Sequence, residues 1–265
     1  MTTIATEHVL ERRAGTGRMP LSRVVGVELR KMFDTRAGFW LVASIGITGL
    51  LATVATVLFA PDADLTYDTF ATAVGFPMTV ILPMISLLSI TGEWSQRTGL
   101  TTFTLVPDRR RVMMAKTVSA VTVAVASMLF ALVLGALGNL VGSTIAGTPL
   151  VWDVPLAQGA TIILGNLIGL LTGTMLGMVI RNSAGALVAY FCYSLLLPTL
   201  ADLLAASQNW FRDLQPWVDL NHAQSALFVG SLSGEQWANL AVTAATWVLL
   251  PSAAGLRLVM RSEVK

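Results

Sequence analysis

Four carboxylates, Asp202, Asp213, Asp219 and Glu235, fall within one broken, semi-polar stretch of an otherwise apolar chain. Paired acids can perform general acid–base catalysis when one is held protonated beside an ionised neighbour. Scattered at irregular intervals, as here, carboxylates more simply solvate a face. Their companions are few: His8 lies near the amino terminus and His222 stands apart from any other histidine, so no HExxH motif, metal cluster or Cys/His pair can be assembled. Cys192, the single cysteine, sits in an apolar run and reads as a small packing residue; no intramolecular disulfide is possible. No GxxxxGK[ST] loop occurs to cradle nucleotide phosphates. The expectation is a chain that binds no cofactor or metal and is not by itself an enzyme.

A different stretch carries more pattern. Residues 92–116, GEWSQRTGLTTFTLVPDRRRVMMAK, form the longest polar interruption between two hydrophobic spans on the side where basic residues gather. The segment begins with a carboxylate, Glu93, at the mouth of a span and continues through Thr and Arg residues to Pro107. Arg109, Arg110, Arg111 and Lys116 then lead into the next span. It is too short to form a domain, and its pattern suits a docking element for another protein.

The composition states what these residues are mounted on. The chain is 54% hydrophobic and 12% charged over 265 residues, against about 25% charged in a soluble domain. An all-α polytopic membrane protein is expected, with six hydrophobic spans at 38–60, 70–91, 117–141, 158–180, 184–201 and 237–256. Each is near the length of about 20 residues that crosses the hydrocarbon layer. None of the six contains Asp, Glu, Lys, Arg or His, which would be costly at mid-bilayer. Residues 1–19 are polar, lack the apolar core of a signal peptide and read as a loose tail; 20–265 read as one membrane domain. Within 20–36, Leu21, Val24, Val25, Leu29, Met32 and Phe33 make a helical stripe, with Arg23, Arg30, Lys31 and Arg36 elsewhere around it. That pattern predicts either an amphipathic helix lying among the lipid headgroups or a plain basic flank that fixes orientation.

Sixteen of the seventeen Lys and Arg residues fall on one side of the spans, Arg212 being the exception. The positive-inside rule then places both termini in the cytoplasm and the protein in the cell membrane, multi-pass; the basic charge is topological, and no nucleic-acid partner is expected. Six of the seven tryptophans fall at span ends or in outer loops, only Trp247 lying in mid-span. Residues 202–236 are too broken to span and too apolar for a solvated loop. Short helices lying on or dipping into the outer leaflet are expected between spans five and six, with a plain loop as the alternative. The fourth span repeats glycine every fourth residue, Gly165, Gly169, Gly173 and Gly177, a smooth ridge for close approach of another helix. Packing within the chain and packing at a subunit interface or moving seam both remain open. Gly138 and Gly142 repeat the spacing once. Pro77 and Pro83 should kink or loosen the second span. Asn139, Asn166 and Gln158 read as helix glue or as lining of a path.

Six spans with both ends inside, a basic amphipathic helix before the first, Glu93-Trp94 followed by Arg97-Thr98-Gly99, Pro107 and Lys116, and a broken outer segment before span six together resemble an ABC-2 type permease. The likeness covers nearly the whole chain. Its most specific part is the loop after span two, similar to the pattern of bacterial drug and antibiotic exporter permeases, although Arg97-Thr98-Gly99 replaces the usual Gly-Thr order. The resemblance implies an export subunit in which two permease copies pair, expected as a homodimer, and each docks a separate ATPase subunit that binds ATP and Mg. Carried over, Glu93, Trp94, Arg97, Thr98 and Thr101 would form the ATPase-coupling element, supported by Glu28, Arg30 and Lys31. Uncharged spans with adaptable methionines, among them Met78, Met84, Met128, Met175 and Met178, suit a hydrophobic or amphipathic cargo, such as a drug, antibiotic or lipid, taken from the membrane lipids of the inner leaflet, better than a simple ion. Rival readings are a non-transporting membrane anchor or regulator of an ATPase, a membrane-embedded enzyme using the outer carboxylates, and a secondary carrier. The last predicts inverted repeats and intramembrane ionisable groups, which the sequence does not show.

Overall fold

The computed structural model describes residues 19–96, 102, 104, 106 and 108–261, and among them there are nine helices and no strand. The chain is an all-α multi-pass membrane protein. Helix α1, Leu21–Asp34, precedes six helices long and apolar enough to cross a bilayer: α2 (Arg36–Phe59), α3 (Tyr67–Ser95), α4 (Arg109–Ala146), α5 (Leu156–Ile180), α6 (Ser183–Ser207) and α9 (Gly234–Arg261). Between α6 and α9 lie the short helices α7 (Asn209–Val218) and α8 (Leu220–Val229). The spans overlap those expected, but α4 begins at Arg109 and α3 runs on to Ser95, so Glu93 and Lys116 belong to helices rather than to a loop.

Side-chain caps set several of these boundaries. Thr35 accepts from the Gly38 amide at the start of α2, Asp108 from Arg111 at α4, and Asn182 from Gly185 at α6. Ser233 and Gln236 form a reciprocal capping box at α9. Gly147 ends α4 with φ 67°, and Arg181 ends α5 at φ 53°, a left-handed position usually given to glycine. The α5–α6 connection is therefore only the pair Arg181 and Asn182.

Helix α3 is the hub, packed against α2, α4, α5 and α6. Its buried face, Val74, Met78, Leu82 and Ile85, meets Ala120, Ala124 and Met128 of α4 and Leu170 of α5. In contrast, the most apolar windows of α2 and α6 are only 11% and 6% buried, which leaves these two helices at the periphery. The glycine ridge is spent within the chain. A Cβ at Gly173 would fall on the Pro83 carbonyl oxygen of α3, one at Gly177 would lie 3.1 Å from the Leu87 oxygen, and one at Gly165 would lie 2.8 Å from the Phe228 ring of α8. Gly138 and Gly142 open a slot on α4 for the fully buried Phe70 ring.

The prolines of α3 do not break it. Pro83 has no N–H to give the Thr79 carbonyl, and the Tyr190 hydroxyl of α6 donates to that carbonyl at 2.9 Å instead. In α6 and α9 the accommodation takes another form: Cys192–Leu196 and Ala245–Leu249 are π turns, and each is followed directly by a Leu-Pro pair, Leu197-Pro198 and Leu250-Pro251. The wider turn moves the carbonyl four residues back out of the way of the proline ring. The two bulges face each other, the Tyr193 and Trp247 rings standing 6.5 Å apart.

Helices α7 and α8 enter the bundle. Three hydrogen bonds mark the depth: Trp247 Nε1 to the Val218 carbonyl (2.7 Å), Asn221 Nδ2 to the Tyr193 carbonyl (3.4 Å) and Gln224 Nε2 to the Gly165 carbonyl (2.9 Å). Trp247, Tyr193 and Gly165 all lie near the middle of their helices, so the α7–α8 turn reaches mid-span. Leu220, Ala223 and Leu227 are buried there against Ile168, Leu240 and Val248. The broken segment is re-entrant, its polar backbone satisfied by protein, and the mid-span indole of Trp247 has its partner in that turn.

Candidate functional site

The residues that could do work converge at the end of the bundle where the basic residues collect. Helix α1 lies across α2 and α4 there, and its inward face runs Val24, Glu28 and Met32, one residue per turn. The apolar stripe foreseen for α1 is present apart from Phe33, which is exposed, and in its centre sits a carboxylate that the apolar residues on either side carry into the interior.

Glu28 is one corner of a four-charge cluster. Lys116 Nζ of α4 lies 2.6 Å from Glu28 Oε2 and 2.9 Å from Glu93 Oε1. Lys31 Nζ lies 2.8 Å from Glu28 Oε1 and 3.4 Å from Glu93 Oε1. The far oxygen of Glu93 accepts from the Thr102 hydroxyl at 2.9 Å. Two lysines balance two glutamates, so the cluster is neutral as a whole, and three of its four side chains are 3 to 5% exposed; Lys31 alone is open, at 41%. Burial pushes the Lys31 ammonium down, but the hydrogen bond and charge of Glu28, joined by those of Glu93, outweigh it and hold its pKa above the ordinary lysine value. Breaking such a cluster at one corner strands a buried charge. The arrangement therefore ties α1, the end of α3, the start of α4 and Thr102 into one unit.

Further bonds extend this unit. Ser119 of α4 donates to the Val25 carbonyl of α1 at 3.2 Å, and Arg111 Nη1 to the Met19 carbonyl at 2.7 Å. Arg109 Nη1 donates to the Val259 carbonyl at the end of α9 at 2.9 Å. Ser183 at the start of α6 meets Thr91 at 2.8 Å and Ser95 at 2.9 Å. Trp94 packs over Ile90, Val112, Met113, Met178 and Val259. The basic cluster foreseen as a docking feature is thus partly engaged with its own chain.

Of the residues assigned to coupling, the structure brings Glu28, Lys31 and Glu93 together, half-buries Trp94 and leaves Arg30 exposed. Arg97, Thr98 and Thr101 lie outside the described residues. Glu93 and Glu28 are both buried, each 4% exposed. Lys116 was grouped with the basic run, and the sequence signal for its burial was present: Ala115, Ser119 and Ala120 flank it with small residues at helical spacing.

Beside the cluster is a chamber of about 570 Å³, bounded by α1, the first turns of α2 and the last turns of α3, with Thr102, Val106 and Ser183 also on its wall. The outer carboxylates assemble nothing comparable. Gln215 Nε2 bridges Asp202 (2.9 Å) and Asp219 (3.4 Å), and Asp219 also caps α8. No group of three metal-ligating side chains occurs among the described residues. Asn139 holds the Val151 carbonyl of the α4–α5 connection at 2.8 Å, and Asn166 donates to Ile162 in its own helix at 3.0 Å. Asn139 thus serves as glue, whereas the Asn166 bond stays within α5 and its buried Oδ1 has no partner among the described residues. Compared with known proteins, the chain matches no family profile and no curated sequence.

Proposed function

We propose that the chain is the membrane-spanning subunit of an ATP-driven exporter of the ABC-2 type. In this reading two copies pair as a homodimer in the cell membrane, with both termini in the cytoplasm. Each copy docks a separate ATPase subunit that supplies the ATP and Mg chemistry. The cargo is a hydrophobic or amphipathic molecule moved outward. The observation that carries the reading is the buried four-charge cluster, which joins α1, Thr102 and the roots of α3 and α4. A push from a partner on the segment between α3 and α4 would move α3, and α3 touches four other helices. Arg97, Thr98 and Thr101 are assigned to contact the partner, Glu28, Glu93 and Lys31 to brace that contact from within, and the exposed Arg30 to flank it.

The test is purification of the full chain from its native membrane in mild detergent. Expected is an ATP-binding subunit at one-to-one ratio, lost with Arg97→Glu, together with ATP-dependent uptake of a hydrophobic dye into inverted vesicles. Recovery of a stable complex that hydrolyses ATP but moves no cargo would select the regulator reading. Recovery of the folded chain alone, with no nucleotide-dependent behaviour, would overturn the assignment.

A further inference from the structure

The chamber beside the four-charge cluster grades from charged to apolar along one face of α3. Glu93, Ser89 and Ile85 all line it, and each is one helical turn of about 5 to 6 Å deeper than the last. At the charged end, Lys31 donates to Glu28 and Glu93, two bonds for three N–H groups, and is 41% exposed. One turn deeper, the buried Ser89 hydroxyl has no partner among the described residues. Beyond it the walls include Met32, Leu41, Val42, Ile85 and Leu88. The volume of about 570 Å³ lies within the range of sites that take small organic ligands, roughly 300 to 1,000 Å³.

We propose that this chamber binds one anionic phospholipid from the leaflet that the basic end of the protein faces. The phosphate sits at Lys31, an ester carbonyl accepts from Ser89, and an acyl chain lies between α1, α2 and α3. The order charge, hydroxyl, hydrocarbon matches the order of a phospholipid read from its headgroup inward, and the gradient runs along a membrane-spanning helix. The cluster itself is neutral, so its half-exposed lysine favours an anion, and the basic residues Arg23, Arg30 and Arg36 on and beside α1 add long-range attraction to anionic lipid. Phosphatidylcholine carries the same phosphate and esters, and what sets it apart is its trimethylammonium, which Arg23, Arg30 and Arg36 would repel. The proposal stands whether or not an ATPase docks on the chain.

Gly92 supplies the decisive variant. It lines the chamber and a Cβ there meets nothing within 4 Å, so Gly92→Leu fills the space and also replaces glycine in a helix by a better helix former. The experiment is native mass spectrometry of the purified full chain after delipidation and titration with 1-palmitoyl-2-oleoyl phosphatidylglycerol, with phosphatidylcholine of the same chains and sn-glycerol 3-phosphate as comparisons. Expected is one retained phosphatidylglycerol per chain, weakened about tenfold by Lys31→Gln, less by Ser89→Ala, and abolished by Gly92→Leu. Equal retention of phosphatidylcholine would overturn the assignment of charge. Retention unchanged in Gly92→Leu would place the lipid elsewhere, and competition by sn-glycerol 3-phosphate at equal concentration would make the site one for a soluble anion. Each of these three results defeats the proposal.

Discussion

Replacing Lys116 by methionine should be among the most damaging single changes outside the apolar core. Its ammonium is 4% exposed and holds two carboxylates, Glu28 at 2.6 Å and Glu93 at 2.9 Å, that are themselves 5% and 3% exposed. Without it, two buried negative charges face each other, and Lys31, the other cation of the cluster, approaches Glu93 no closer than 3.4 Å. Removing one member of a buried pair costs about 3 to 5 kcal/mol, which for a chain of this length corresponds to a melting shift on the order of 10 °C. The half-exposed Lys31 sets the contrast, since solvent screening limits such a pair to about 0 to 1 kcal/mol. A double change, Lys116→Met with Glu93→Gln, removes one charge of each sign and should recover part of the loss, with a coupling of about 0.5 to 3 kcal/mol. Melting of the parent, Lys116→Met, Glu93→Gln, the double variant and Lys31→Met, followed by fluorescence-detected size-exclusion, gives all five values. A Lys116→Met melting point within about 2 °C of the parent, or a Lys31→Met loss of equal size, would refute the reasoning that burial sets the strength of this cluster.

Other consequences follow from the same geometry. Gly173→Ala should destabilise the chain by about 1 to 3 kcal/mol as the new methyl drives the Pro83 backbone of α3 away, whereas Gly169→Ala, whose Cβ meets nothing closer than 3.6 Å, should be neutral or slightly stabilising; the two melting curves decide it. Tyr190→Phe should cost about 1 to 3 kcal/mol by leaving the Thr79 carbonyl without its donor, and faster amide hydrogen exchange just after Pro83 should accompany the loss. The Lys31 pKa is raised on folding, so its contribution is complete below the unfolded lysine pKa of about 10.4 and disappears as pH climbs through the higher folded value. The melting difference between the parent and Lys31→Met should accordingly narrow between about pH 9 and pH 12, and a difference that widened there would contradict the sign.

The six spans were legible because hydrophobic length is a property of local sequence, and the interfacial helix because its stripe repeats with helical period. The re-entrant pair α7–α8 was half legible: Trp210, Trp217 and Phe228 among polar residues marked a segment neither spanning nor solvated. Its depth depends on Asn221, Gln224 and Trp247 reaching carbonyls far away in sequence. The four-charge cluster was the largest surprise. Glu28, Lys31, Glu93 and Lys116 come from three helices, and each alone reads as an ordinary charge near a membrane surface. The embedding of Glu28 between Val24 and Met32 on one face, and the small residues around Lys116, hinted that charges were going inside. The glycine ridge was visible as a ridge, but its partner was not, since nothing local to Gly173 indicates that Pro83 lies opposite.

The paired π turns bear on how this protein tolerates changes in length. A π turn is an α-helix with one residue too many. Removing a single residue from Cys192–Leu196 or Ala245–Leu249, together with replacing the proline that follows, would return the turn to ordinary winding and leave the faces on both sides aimed as before. The same deletion inside α5 would swing everything beyond it by about 100° and carry the glycine ridge off α3. Spans five and six thus each hold a spare residue at mid-depth, placed just ahead of the Leu-Pro pair that makes it necessary. Along these helices, one-residue gaps between related chains should gather at those two places and avoid the ridge.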